Sequence, residues 1–168
     1  MRRLLALTLT LGLALPLGSA KAQVASCRVS DQVEFVYHPD RLLVLRQCIR
    51  VTGVVVGFFP SGDGDVHILV RLDPPFVRLL RPGNVNPDWP ACAAGCLIVE
   101  PVCVNAIEPD DAAAVAACAA DHDPVRSLPE VGDRVQLEGR YVLDVPHGGW
   151  AEIHPLSRWW LDRLGSDR

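Results

Sequence analysis

Lysine is almost missing from this chain of 168 residues: Lys21 stands alone, and arginine supplies the other 15 of the 16 basic residues. The 20 acidic residues outnumber them, giving a formal net charge of −4. Non-specific nucleic-acid affinity comes mainly from neutralising backbone phosphates, so a non-specific nucleic-acid partner is not expected. Three familiar catalytic signatures are also missing: there is no Gly-x-Ser-x-Gly elbow, no His-Glu-x-x-His pair and no phosphate-cradling glycine loop. The most continuous apolar run, Leu4 to Leu17, falls short of the ~20 residues that a membrane-spanning helix needs, so no transmembrane segment is expected.

That run instead reads as an address. Arg2 and Arg3 precede it, and Gly18-Ser19-Ala20-Lys21-Ala22 follows with small residues before Gln23, which predicts a secretory signal peptide over residues 1–22. The mature chain is then extracytoplasmic, either periplasmic or secreted, and carries 13 arginines against 20 acidic residues with no lysine. A competing reading treats Val24-Ala25-Ser26-Cys27 as a lipobox, with a lipid anchor on Cys27. All six cysteines, Cys27, Cys48, Cys92, Cys96, Cys103 and Cys118, lie beyond the signal, and an even count in an exported chain points to disulfides. The preferred pair is Cys103 with Cys118, which would pin the end of a strand to the helix after it. A zinc site on Cys92, Cys96 and Cys103 is the metal alternative.

Apolar periodicity gives a mainly β fold. Strands are expected over Ile49 to Phe58, with a bulge at Gly53, then Asp65 to Leu72, Cys96 to Cys103, Asp133 to Leu143 and Trp150 to His154. The hairpin turn between the first two is Pro60 to Gly64, and Phe76 to Leu80 suggests a short helical turn. One alanine-rich helix runs from Pro109-Asp110-Asp111 to Ala120, opened by a proline and by carboxylates that favour a helix N-terminus. The order β-β-β-α-β-β matches a small OB-fold-like Greek-key barrel. The domain reading is a signal over 1–22, an N-terminal extension over 23–45, an OB-like barrel over 46–156 and a C-terminal helix or tail over 157–168. In the extension, Val33, Phe35 and Tyr37 alternate with Glu34, Val36 and His38, so an added strand or a clasp held by Cys27 is expected. In the tail, Leu156, Trp159, Trp160 and Leu164 have helical spacing, which predicts an amphipathic cap.

Asp63-Gly64-Asp65-Val66-His67-Ile68, Leu97-Ile98-Val99-Glu100-Pro101-Val102-Cys103 and His147-Gly148-Gly149-Trp150-Ala151-Glu152-Ile153-His154-Pro155 carry a further signal. Together they resemble a family of uncharacterised, often exported prokaryotic proteins that share DGDxHI, LVxEPxC and HGWxEIHP motifs around an OB-like barrel. The resemblance covers about Leu42 to Leu156 and implies a fold without an established activity. Two features depart from the pattern: an extra glycine between His147 and Trp150, and the cysteine pair between Pro87 and Cys96.

The same motifs supply the candidate site. Asp65 and His67 share one strand face, Glu152 and His154 share another, and Glu100 sits near the exit of a third strand, with His147 close in sequence. If those faces converge, two imidazoles and two or three carboxylates form a set suited to a divalent metal, with His67, His154 and Glu152 as the first ligands to consider. The bland counterpart is a hydrogen-bonded polar network, with Asp63 serving its own turn. Arg71, Arg140 and Trp150 are candidate ligand contacts, and Trp150, Trp159 and Trp160 a candidate stacking platform. Three functions follow: a secreted OB-like binding module with an unidentified ligand, a metal-dependent hydrolase of phosphoesterase type built on the His and carboxylate cluster, or a structural envelope protein without a catalytic site.

Overall fold

The computed structural model describes Cys27, residues 36–86, 89–108, 111–120, Val125 and residues 127–162. The expected signal peptide lies outside the described residues, as do the alternation at Val33 to Phe35 and the tail beyond Asp162.

Five strands form: β1 (Leu42–Pro60), β2 (Val66–Leu72), β3 (Leu97–Val99), β4 (Arg134–Asp144) and β5 (Trp150–Leu161). One α-helix, α1 (Ala112–Ala120), falls between β3 and β4, so the expected element order is the observed one among the described residues. The strands close in a ring in the order β1-β2-β3-β5-β4. Every neighbouring pair is antiparallel except β3 with β5, which is parallel. Side chains alternate across a strand, so Val66, Ile68 and Val70 of β2 fill the ring interior with Leu97, Val99 and Ile153. The intervening residues His67, Leu69 and Arg71 take the outer face.

β1 is long because it serves two partners. Its first part pairs with β4, its last part with β2, and Gly53 pairs with both Val135 and Leu72. A Cβ at Gly53 would stand 2.6 Å from the Arg71 carbonyl oxygen, so only glycine fits at this crossing. The expected bulge at Gly53 is displaced: the register shifts fall between Val44 and Ile49 and between Val55 and Gly57. α1 starts where the sequence placed its carboxylates, with Asp111 Oδ1 accepting the Ala114 N–H at 2.9 Å as an N-cap. Pro74–Leu79 forms the helical turn expected near Phe76, as a 3-10 helix.

The C-terminal helix expected from Leu156 onward is not formed, because β5 continues as a strand to Leu161. Leu137 pairs with Trp159 and Val135 with Leu161, and Arg158 reaches Glu138 Oε1 at 3.1 Å. A β4 ladder that would otherwise stand open, aided by two tryptophans with high strand preference, outweighs the helical spacing of four residues.

Three disulfides use all six cysteines. Cys103–Cys118 joins the loop after β3 to α1, as expected. Cys27–Cys48 ties the N-terminal extension to β1 in the manner of the expected clasp, and its bond occupies the thiol that a lipid anchor would use. Cys92–Cys96 closes a small loop. With Cys92 bonded to Cys96 and Cys103 to Cys118, no thiolate remains for the alternative zinc site. Among the described residues no helix is long and apolar enough to cross a membrane.

Candidate functional site

Register alone assembles the core of the site. Val99 of β3 pairs with Ile68 of β2 and with Ile153 of β5. One residue further along, His67, Glu100 and His154 become neighbours across the outer face of three strands. The backbone continues the pairing there: Glu100 N–H donates to the Ile153 carbonyl at 2.9 Å, and Leu156 N–H donates to the Glu100 carbonyl at 2.8 Å.

Each oxygen of the Glu100 carboxylate faces an imidazole. His67 Nε2 lies 2.6 Å from Oε1, and His154 Nδ1 lies 2.8 Å from Oε2. Glu152 Oε2 approaches His154 Nδ1 at 3.6 Å, and Asp65 Oδ2 approaches His154 Nε2 at 3.8 Å. Asp65 sits just before β2, where its Oδ1 accepts the Cys103 N–H at 2.9 Å while Asp63 Oδ1 accepts the Asp65 N–H at 3.2 Å. Donor atoms of Asp65, Glu100 and His154 all lie within 4.8 Å of one another, and all three residues are buried. Short as these contacts are, Asp65 Oδ2, Glu100 Oε1, both Glu152 oxygens and both His154 nitrogens make no hydrogen bond of acceptable geometry among the described residues.

The charges divide unevenly. Burial opposes ionisation of Glu100, yet the facing imidazoles of His154 and His67 outweigh it and hold this carboxyl well below its ordinary range. Burial likewise opposes the charged form of His154, and Glu100 with Glu152 overcomes it, so this imidazole is raised well above its ordinary value. Asp65 is pushed up to about 7, mainly by burial and against the attraction of His154. Glu152 is pushed up to about 8 by burial and by the negative charge of Glu100.

Five of the six expected cluster residues therefore meet: Asp65, His67, Glu100, Glu152 and His154. His147 does not join them. Its Nδ1 pairs with Asp144 Oδ2 at 2.8 Å, its ring stacks on Trp150 at 5.2 Å, and its side chain is exposed. Gly148 (φ 76°) and the additional Gly149 (φ 71°) both take left-handed backbone, and the turn they make carries His147 to the surface.

The candidate ligand contacts scatter. Exposed Arg71 pairs with Val54, which pairs with Arg134 at the start of β4, whereas half-buried Trp150 pairs with Asp144 at its end. Arg140 is buried along the same strand. The tryptophan platform is likewise divided, with Trp159 Nε1 donating to the Ser127 carbonyl and Trp160 lying under Arg50 and Arg158 at the far end of β5.

Two contributors went unread in the sequence. Phe59 stacks on His67 at 4.4 Å with 14° between the planes, and Trp89 packs against Phe59 at 5.2 Å. Phe59 is the cross-strand partner of His67, so extending the β1–β2 hairpin by one pair from its turn would have found it. Trp89 lies in an irregular loop that gives no periodic signal. That loop is anchored by buried Asn84, whose amide nitrogen donates to the Cys96 and Ala151 carbonyls and whose oxygen accepts the Ala151 N–H, all at 2.8 Å.

No family model, curated protein or solved structure matches this chain, so its reading rests on the ring and on the buried cluster that the ring's register creates.

Proposed function

We propose that the chain is an exported, OB-like module that binds a divalent transition metal, with Asp65, Glu100 and His154 as its first ligands. The observation that carries this reading is the convergence of two carboxylates and an imidazole within 4.8 Å in a buried position. Donors each about 2.1 Å from one ion lie at most about 4.2 Å apart, so a contraction of under about 1 Å closes the set. A mixed nitrogen and oxygen donor set of this kind suits zinc, iron or manganese.

Energetics supports the same reading. A buried polar group without a hydrogen-bond partner costs about 1–3 kcal/mol, and this cluster gathers several of them around three carboxylates. A bound cation would satisfy those oxygens and balance their charge. The ring order and the single parallel pair support the OB-like comparison, and three disulfides support an oxidising, extracytoplasmic location.

Hydrolysis stays the second reading. It needs an open coordination position that substrate can reach, and Asp65, Glu100, Glu152 and His154 are all buried. The deciding experiment is elemental analysis of the full chain made in an oxidising compartment, purified without tag or chelator, beside Glu100→Gln and His154→Gln. About one equivalent of metal, lost in both variants while the fold is kept, is the expected result. A wild-type protein that takes up no metal from excess zinc, iron or manganese would make the cluster a structural network.

A further inference from the structure

The members of the cluster differ in their access to solvent. The His67 side chain is 12% exposed, against 4% for Asp65, 1% for Glu100 and none for His154 or Glu152. An ion arriving from outside therefore meets His67 first. Glu100 stands between the two histidines and presents one oxygen to each, at 2.6 Å to His67 and 2.8 Å to His154. The donors of His67 are not part of the compact set made by Asp65, Glu100 and His154.

From this arrangement we propose that His67 is the receiving ligand of the centre: an incoming divalent ion is held first between His67 Nε2 and Glu100 Oε1, then passes inward to Asp65, Glu100 Oε2 and His154. This inference rests on the metal-binding reading and adds the route by which the site is filled. A bare ion in a buried environment is prohibitively costly, so an ion must exchange its waters for protein donors a few at a time. A carboxylate shared by two adjacent positions permits that, because Glu100 keeps hold with one oxygen while the other engages. The step exchanges ligands only, with no change of oxidation state.

The surroundings fit a receiving role. Phe59 lies flat on one side of the His67 ring, and Trp150 packs at an angle with 5.9 Å between centroids. These rings confine the imidazole with its Nε2 toward Glu100. They also narrow the route, so ion passage is expected to be limited by aromatic packing as well as by ligand exchange.

The test uses Co²⁺ alone as the probe on the full disulfide-bonded chain, with uptake and chelator-driven release followed by visible absorption in a stopped-flow instrument. Uptake in His67→Ala is expected to slow by about ten-fold, and Kd to weaken far less than in Glu100→Gln, since a receiving ligand changes the barrier more than the end states. His67→Gln, closer in size, guards against misfolding and is expected to behave in the same direction. Phe59→Ala, which leaves every donor in place, is expected to speed both steps. Unchanged rates in the His67 variants would overturn the inference, and so would a Kd weakened as much as in Glu100→Gln, which would make His67 a resident ligand. Those results leave the metal centre standing. A wild-type chain that binds no Co²⁺ overturns the centre itself and the route with it.

Discussion

Glu100, just past β3, and Glu152, on β5, are both buried, yet their surroundings drive them toward opposite charge states. Two imidazoles keep Glu100 ionised, whereas burial and the Glu100 charge push Glu152 up to about 8. In metal-free protein near pH 7 an amide at position 152 therefore resembles the protonated carboxyl already present, and Glu152→Gln is expected to change stability by less than about 1 kcal/mol. Glu100→Gln strands the His154 cation without its main counter-charge, and breaking a buried pair in this way costs about 3–5 kcal/mol. Urea denaturation of the two variants in the presence of a chelator measures the contrast. Equal losses would mean that the two carboxylates share one role.

The loop after β3 helps to hold Asp65 in place. Cys103, at φ 61° in the left-handed region, gives its N–H to Asp65 Oδ1 and its sulfur to Cys118 of α1. Replacing both cysteines by serine is expected to cost about 3 kcal/mol from the released loop, and to weaken zinc binding because the hydrogen bond that orients Asp65 loosens. Isothermal titration with zinc, together with thermal unfolding, separates the two effects. A variant that loses stability but binds zinc unchanged would show that Asp65 is positioned by other contacts.

Elements of this kind were legible in the sequence to differing degrees. The β2 alternation, the Asp111 cap and the Cys103–Cys118 pair could be read because each depends on residues close in sequence. The extension of β5 through Trp159 and Trp160 could not, because Leu156 to Leu161 fits both periods and only the partner strand β4 decides. For the site, polar residues at strand positions marked His67, Glu100, Glu152 and His154. The exclusion of His147 depended on a turn conformation, and the contribution of Trp89 on a loop without pattern.

For the molecule as a whole, the metal-binding reading sets a bound ion and a bound proton in competition at the cluster. Asp65 and Glu152 rise from ordinary values of 3.8 and 4.5 to about 7 and about 8 in the fold. Their protonated forms favour the folded state, so this contribution is full below their ordinary values and is lost as pH rises through 7 and 8. Chelated protein is therefore expected to lose melting temperature between about pH 4 and pH 8, through these two groups. Zinc ligated by Asp65 requires its ionised form and should reduce that decline. At 100 times its Kd it contributes about 2.7 kcal/mol, a rise on the order of 10 °C in Tm. Calorimetry across pH, with and without zinc, reads both curves, and parallel curves would argue against ligation by Asp65.

The row formed by His67, Glu100 and His154 has one further consequence. Its members come from β2, the residue after β3, and β5, which is the last strand in the chain among the described residues. A nascent chain that stops short of β5 holds His67 and Glu100 without His154, so most of the polypeptide can exist with no centre to fill. On the metal-binding reading, the centre would fill only in molecules whose ring has closed, so a bound ion would mark a completed fold.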